Sequence, residues 1–376
     1  MKKNIFKLFS AMAISATVLT GCIEEIFPEN STATSEQIGA SASALEAAIN
    51  GLPSQMVQGY LVYGKQTHET DIAYPSLMLA QSELLGDIVA TEAGYDWWNP
   101  YCSSNEMGDN TYYSYLPYFA LYKFVKSAND VIAVVDVTDP TISDEMRGYG
   151  SMAHAFRALD YYTLMALFEP VENIYTDCSK ILGLTVPIVT EATTNDMAKN
   201  NPRATREEMM AFILSDLDKA EIGLADYTPT SKTFPDLSVV YGLKAKVYMW
   251  NGEYAKAAEY ARKAIDASGA TPMTAAQWNN SITGFNTATS SWMWYLHPTA
   301  SNMGNLANFI GHISNEAGWG YADLSKLQIA RSLYDEIADN DFRKYSFLDP
   351  DRSFYNYQSV QGKEWLDEQP DYMSLK

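Results

Sequence analysis

Residues 238–269 read SVVYGLKAKVYMWNGEYAKAAEYARKAIDASG, and they carry the clearest helical pattern in the chain. Its apolar and aromatic residues recur every three or four positions on both sides of Asn251-Gly252, which predicts two helices joined by a tight turn. The alanines allow the two helices to approach closely, and the tyrosines fill the remaining gaps. The residues predicted to face the opposite helix are Tyr241, Ala245 and Tyr248 in the first helix and Tyr254, Ala257, Ala261 and Ala264 in the second.

This unit resembles a single tetratricopeptide repeat of helix, turn and helix. One repeat cannot bury its own apolar face, so neighbouring helices must cover it. Upstream of the unit, one apolar stripe at helical spacing ends before Pro140 and consists of Leu121, Val125, Ala128, Ile132 and Val135. The sequence therefore predicts a mainly α fold, a tetratricopeptide-like helical repeat scaffold.

Two further helices are predicted from their N-terminal capping signals. Ser143 is followed by Asp144 and Glu145, and a serine cap with early acidic residues suits the exposed amides and the dipole of a helix start. Thr205 and Glu208 have the spacing of a capping box ahead of a new apolar stripe. Both signals favour antiparallel helices over strands in this part of the chain.

The composition excludes one class of function. The 376 residues include 26 Lys plus Arg and 46 Asp plus Glu, which gives a net charge of −20. A nucleic-acid-binding protein needs a cationic face to displace counterions from phosphate, so we predict no nucleic-acid partner. Hydrophobic residues make up 47% of the chain and aromatic residues 13%, which is enough for a sizeable core.

The N-terminus has the features of an export signal. Lys2, Lys3 and Lys7 precede a mostly apolar segment that is short for a membrane span. The following Leu-Thr-Gly-Cys22 resembles a lipobox, in which the signal is cleaved before the cysteine and the thiol receives a lipid such as palmitate. An ordinary signal peptide is the alternative, but the small residues before Cys22 favour the lipobox. We expect this lipid to be the only membrane anchor.

Changes in residue usage along the chain predict its domain organisation. We expect a lipoprotein signal peptide over residues 1–21, a tether after the lipidated cysteine over residues 22–40, a helical scaffold over residues 41–270 and a loop-rich ligand lobe over residues 271–376. Within the lobe, one helix is predicted around residues 324–337. The alternation in residues 291–296 predicts a short strand with Trp292 and Trp294 on one face.

The sequence contains no clear catalytic or metal-binding pattern. The four histidines are scattered, so we predict no metal site and no cofactor. Gly59 to Gln66 has the spacing of a phosphate-binding loop, but Gln66 stands where a hydroxyl must meet magnesium, and the loop is bulky. Acidic residues are abundant, and no pair stands out as a glycosidase pair. Cys102 and Cys178 either form a disulfide or remain as two thiols.

Aromatic residues in loop-like contexts are the candidate binding residues. An indole or phenol ring packs against the apolar face of a sugar, while neighbouring amides and carboxylates bind its hydroxyl groups. Burial in the core is the alternative for any single tryptophan, but flanking Gly, Asn and Pro favour exposure of Trp98 and Trp319. The candidate ligand-binding residues are Trp97, Trp98, Tyr101, Trp319 and Tyr321.

Several segments in the same order and spacing resemble the SusD/RagB family of nutrient-binding outer-membrane lipoproteins. They include HAFRALDYYTLMALFEPV from His154, GLTVPIVTE from Gly183, RATREEMMAFILSDLDKAEIGL from Arg203 and GWGYADLSKLQIARSLYDEIADNDFRK from Gly318. The resemblance implies a helical scaffold carrying a ligand lobe, an outer-membrane location and a partner, a SusC-like TonB-dependent transporter. The family pattern continues beyond Asp341-Phe342-Arg343, so we expect this chain to lack its C-terminal end.

These observations lead to one functional hypothesis and its alternatives. We expect a lipid-anchored, non-enzymatic, surface-exposed protein that captures oligosaccharides and delivers them to the transporter. Glu24 and Glu25, close behind Cys22, resemble a signal for export to the cell surface. The alternatives are a RagB-like lipoprotein that captures peptides, a scaffold that binds only protein, and a surface glycoside hydrolase, which the helical repeat pattern disfavours.

Overall fold

The computed structural model describes residues 35–39, 41–58, 74–90, 101, 107–280, 283, 287–298, 327–347 and 372–374. These residues are mainly helical, as the sequence predicts. The helices are α1 (Ser35–Gly39), α2 (Ala42–Met56), α3 (Tyr74–Leu85), α4 (Tyr112–Ile132), α5 (Asp144–Phe168), α6 (Asn195–Ala198), α7 (Arg206–Leu224), α8 (Leu237–Trp250), α9 (Tyr254–Ser268), α10 (Ala275–Trp278) and α11 (Arg331–Glu336). A 3₁₀ helix spans Phe342–Ser346, and the strands are β1 (Ile88–Ala90), β2 (Leu327–Ala330) and β3 (Tyr372–Ser374).

Helix α5 lies at the centre of the helical scaffold. It packs against α4 on one side and α7 on the other, and α2 covers both α4 and α5. Most of its residues between Gly148 and Met165 are buried. The approach of α5 to α7 is close because Gly223 has no side chain, and its backbone N–H donates to Ser151 Oγ at 3.2 Å.

Both predicted capping signals are confirmed. Ser143 Oγ accepts a hydrogen bond from the Met146 backbone N–H at 3.2 Å and starts α5. Thr205 and Glu208 form a complete capping box at the start of α7, with each side chain bonded to the other residue's backbone N–H. These bonds satisfy amides that a helix start leaves without an intrahelical partner.

The tetratricopeptide-like unit is formed by α8 and α9, which pack against each other, and α8 also contacts α7. Gly252 adopts a φ of 74° in the turn between them, a conformation that favours glycine. The Tyr248 and Tyr260 rings stack across the pair at 5.4 Å between centroids. The prediction that Tyr254 faces inward is wrong, because this residue is the first of α9 and is 71% exposed.

Two predictions for the C-terminal region are also wrong in part. Residues 327–330, expected to be helical, form strand β2, which pairs antiparallel with both β1 and β3. The helix α11 begins only at Arg331. Residues 291–296 do not form a strand; instead, Trp294 Nε1 donates to the Thr233 carbonyl at 3.0 Å and its ring packs edge-on against Phe156.

Helix α1 lies inside residues 22–40, the segment expected to be a tether, and Ile38 is buried there. Among the described residues, no helix has both the length and the apolar character needed to cross a bilayer.

Candidate functional site

A cleft of about 530 Å³ opens between the N-terminal half of α4, the C-terminal end of α5 and the chain that follows α5. We call it the tyrosine cleft. Its lining is mostly apolar and aromatic, and binding clefts of small ligands are commonly lined in this way. The lining includes Tyr101, Met107, Tyr113, Ser114, Pro117, Tyr118, Leu167, Phe168, Glu169, Thr185, Val186, Pro187 and Arg203.

Tyr101 is the one predicted ligand-binding residue within the described part of the chain. Its side chain lines the tyrosine cleft, yet the residue is only 1% exposed. The hydroxyl donates to the Tyr113 carbonyl at 2.8 Å, and the two rings meet edge to face at 5.5 Å. Cys22, Trp97, Trp98, Trp319 and Tyr321 lie outside the described residues.

The aromatic wall of the cleft is built mainly by α4. Tyr118 packs edge-on against Phe168 at 5.4 Å and lies 4.5 Å from Tyr122, measured between ring centroids. The Tyr122 hydroxyl donates to the Pro187 carbonyl at 2.5 Å, and burial raises the pKa of this phenol. Tyr122 therefore fixes the segment after α5 against α4.

Polar side chains at the cleft already have partners within the protein. Arg203 donates from Nε to the Thr185 carbonyl at 2.5 Å and from Nη2 to the Phe168 carbonyl at 2.7 Å. Glu169 accepts from Arg206 at 2.5 Å and also from the indole N–H of Trp250 at 3.2 Å. The cleft thus presents ring faces and aliphatic groups to a ligand, rather than many unused donors and acceptors.

A buried ionic network lies behind the cleft and holds its wall. Arg157 donates from Nε and Nη2 to both carboxylate oxygens of Asp216, each at 2.8 Å, and from Nη1 to Asn129 and Glu191 at 2.6 Å. His154 Nδ1 lies 2.8 Å from Asp216 Oδ1. Burial opposes ionisation of Asp216, but the hydrogen bonds from Arg157 and His154 outweigh it and lower the pKa of this carboxyl.

The network connects α4, α5 and α7 to residues 187–191. Asn129 Nδ2 donates to the Val189 carbonyl at 3.1 Å, and the Tyr161 hydroxyl donates to the same carbonyl at 2.9 Å. The Val189 backbone N–H in turn lies 2.7 Å from the Tyr161 hydroxyl. Since Pro187 lines the tyrosine cleft, the network positions that wall rather than contacting a ligand itself.

Sequence reasoning missed most of the cleft residues. Tyr113, Tyr118 and Phe168 lie at helical positions, where an aromatic residue is expected to fill the core. Arg203 precedes the capping box of α7, and nothing local marks it as part of a cleft. These residues are recognised as a cleft only because the fold brings them together from distant parts of the chain. The sequence alone does not show that they are close in space.

The cysteine thiols and the possible metal ligands are the remaining candidate chemical groups. Cys178 is a free, buried thiol whose Sγ lies 3.6 Å from the Val171 carbonyl, and Cys102 lies outside the described residues. In the described parts of the chain, no three His, Cys, Asp or Glu side chains are grouped so as to hold a metal ion.

Comparison with protein families gives a match to residues 45–249. The matching model is that of a SusD-like family described as starch-binding and associating with the outer membrane. The matched residues cover more than half of the chain and include the helical scaffold from α2 to α8. Comparison with curated proteins gives no match.

Several solved structures have a similar fold. A SusD-like carbohydrate-binding protein from Bacteroides vulgatus is 18% identical with a TM-score of 0.62, over 81% of this chain and 60% of that chain. A SusD superfamily protein from Bacteroides thetaiotaomicron is 20% identical with a TM-score of 0.66, over 89% and 68%. One from Bacteroides fragilis is 17% identical with a TM-score of 0.61, over 86% and 70%. The chain thus spans between 60% and 70% of the lengths of these three proteins.

Proposed function

This chain belongs to the SusD-like family, and on that basis we propose that it is a non-enzymatic, lipid-anchored outer-membrane protein that captures oligosaccharides. It delivers them to a SusC-like TonB-dependent transporter. The observation that carries the proposal is the family match over residues 45–249, whose description names starch binding and the outer membrane. The carbohydrate-binding protein of similar fold from Bacteroides vulgatus supports the same ligand class.

The proposed action requires binding and no bond cleavage. Capture raises the local concentration of ligand at the membrane surface. Transfer then requires that the protein binds the ligand with different affinity in the open and closed states of the transporter. Aromatic rings supply the contact with the sugar faces, and we propose Trp97, Trp98, Tyr101, Trp319 and Tyr321 for this role. A reducing-sugar release assay on the same oligosaccharides tests the absence of catalysis.

Affinity electrophoresis through polysaccharide gels tests ligand capture. We expect the chain from Cys22 to Lys376 to be retarded by at least one neutral glycan, and a variant with Trp98→Ala and Trp319→Ala to be retarded much less. Tyr254→Ala is the matched control, because this tyrosine is 71% exposed at the start of α9 and is not one of the proposed binding residues. Equal retardation of all three proteins refutes the assignment of the two tryptophans.

The lipid anchor is tested separately from ligand binding. Cells fed radiolabelled palmitate should label the unmodified protein, and Cys22→Ala should abolish the label and release the protein from the membrane fraction. Protease treatment of intact cells should degrade a protein on the outer surface. Survival of the protein in intact cells, with digestion after lysis, contradicts the surface location.

The tyrosine cleft favours one alternative, capture of peptides by a RagB-like lipoprotein. Its rings and aliphatic groups suit an apolar side chain, while Arg203 and Glu169 are already bonded within the protein. A panel of peptides and oligosaccharides, titrated into the same protein, distinguishes the two ligand classes. A protein-only scaffold predicts that neither panel binds while the transporter still co-purifies.

A further inference from the structure

A second cleft lies in the C-terminal region and contains none of the candidate ligand-binding residues predicted from the sequence. Its volume is about 710 Å³, within the range of roughly 300–1,000 Å³ that is usual for ligand sites. We call it the tryptophan cleft. The lining residues that matter for ligand chemistry are Trp278, Trp292, Asn340, Asp341, Phe342 and Arg343.

The rings of the tryptophan cleft are fixed in place. Trp278 Nε1 donates to Ser346 Oγ at 2.6 Å, and the indole meets Phe342 edge to face at 6.1 Å between centroids. Trp292 packs edge-on against Tyr295 at 5.5 Å. The Trp292 carbonyl accepts from Lys232 Nζ at 2.5 Å, which ties this segment to the loop before α8. Both tryptophan residues are only partly buried.

Unused polar groups lie beside these rings. Asn340 is exposed, and its side-chain amide forms no hydrogen bond with any residue that the structure describes. Arg343 donates from Nε and Nη2 to Asp341, while its Nη1 has no partner among the described residues. The amide supplies donors and an acceptor in one plane, and the remaining guanidinium N–H groups add donors.

The charges of the cleft favour a neutral ligand. Asp341 Oδ2 lies 2.5 Å from Arg343 Nη2, so the positive charge at the cleft is compensated by its own neighbour. The whole chain carries a net charge of −20, which repels anionic glycans. Partly buried indole rings that line a cleft next to a planar amide, with no net local charge, suit the apolar faces and the hydroxyl groups of a neutral sugar.

We propose that the tryptophan cleft is a saccharide-binding site that holds a short segment of a neutral oligosaccharide, with Trp278 and Trp292 against the sugar rings and Asn340 and Arg343 bonded to hydroxyl groups. The inference rests on the proposed function, because it adds a binding site to a protein already assigned to oligosaccharide capture. It differs from the loop aromatics predicted from the sequence, since it involves none of them.

Isothermal titration calorimetry of the full chain from Cys22 tests the site, with maltoheptaose, cellohexaose, xylohexaose and mannohexaose as probes. Asn340→Ala should weaken binding of the responding probe about fivefold, the loss expected for one or two hydrogen bonds. Trp292→Ala should weaken it by more than about tenfold, because the contact between the indole and a sugar ring is lost. Asn340 is exposed and makes no bond with described residues, so its variant keeps the test valid if Trp292→Ala fails to fold.

Tyr254→Ala serves again as the control and should bind like the unmodified chain. The Asn340→Ala and Trp292→Ala changes are also placed in the Trp98→Ala, Trp319→Ala background, where they should remove the binding that remains. If the unmodified chain binds none of the four probes, both the proposed function and this inference are refuted. If it binds a probe, and both cleft variants match the control in both backgrounds, only the tryptophan cleft is refuted.

Discussion

Replacing Arg157 by methionine should be among the most damaging single changes in the scaffold. The guanidinium contacts Asp216 through two hydrogen bonds of 2.8 Å, and both side chains are only 2% exposed. Methionine has a similar length but offers no donor. The substitution therefore leaves Asp216 as a buried carboxylate with His154 as its remaining contact in the network.

The expected loss follows from the burial of the pair. Removing one partner of a buried ion pair costs about 3–5 kcal/mol, mainly because the other charge stays in a low-dielectric interior. Arg157→Met together with Asp216→Leu removes both charges, so the double variant should lose less than the sum of the single losses. We expect a coupling free energy of about 2 kcal/mol or more. Lys126→Met is the control, because its pair with Asp130 is a surface pair worth less than about 1 kcal/mol.

Equilibrium unfolding in urea, followed by far-ultraviolet circular dichroism, measures the free energies of unfolding of the unmodified protein, the two single variants, the double variant and the Lys126→Met control. The reasoning is refuted if Arg157→Met loses no more than the Lys126→Met control. It is also refuted if the losses of Arg157→Met and Asp216→Leu simply add in the double variant. Additive losses would mean that the two side chains contribute independently, despite their contact in the structure.

Three further predictions concern stability. Burial raises the pKa of Asp160, whose Oδ1 has no hydrogen-bond partner among the described residues, so the folded protein holds this proton more tightly than the unfolded chain. The stability that the protonated Asp160 carboxyl contributes is complete below about pH 4 and is lost as the pH rises towards the pKa of this group in the folded state. Because asparagine does not titrate, Asp160→Asn should flatten the slope of melting temperature against pH. Gly223→Ala should lower the free energy of unfolding in urea by about 1–3 kcal/mol, because a Cβ atom there would lie 2.7 Å from the Arg147 carbonyl oxygen. Gly242→Ala is the control and should raise the free energy of unfolding by up to about 1 kcal/mol, because the space around Gly242 is open. Thr205→Ala should lower the melting temperature through a loss of about 1 kcal/mol, since the capping box loses its hydroxyl, and an unchanged value would contradict that role.

Local signals in the sequence were sufficient for the helical scaffold. Ser143 and Thr205 mark the starts of two long helices because capping depends only on residues within one turn. The α8 and α9 pair follows from a repeated apolar period around Asn251-Gly252. The inward position predicted for Tyr254 is wrong because an aromatic residue in the first turn of a helix can point past its partner helix.

Features that depend on distant partners were not predictable. Residues 327–330 form a strand because β1 and β3 lie on either side, and the sequence of β2 does not reveal them. Residues 291–296 alternate like a strand but pair with no strand in the described part of the chain, and Trp294 is held by Thr233 and Phe156 instead. The pairing of Arg157 with Asp216 spans 59 positions, and no spacing rule links them.

For the candidate sites, the sequence predicted the type of residue, which is aromatic, better than the individual positions. An excess of aromatic residues in loop-like contexts pointed to ring contacts with a ligand, and Tyr101 does line a cleft. The hydrophobic period could not separate Tyr118, which lines that cleft, from the tyrosines that fill the core. The tryptophan cleft combines Trp278 and Trp292 with residues 340–343, and only the fold brings these segments together.

The central claim is that this protein captures neutral oligosaccharides, and the most direct test is calorimetric titration of the unmodified chain from Cys22 with a panel of oligosaccharides and peptides of matched length. We expect saturable binding of at least one neutral oligosaccharide, no binding of the peptides, and no release of reducing ends during the titration. Binding of a peptide with no response to any oligosaccharide would contradict it.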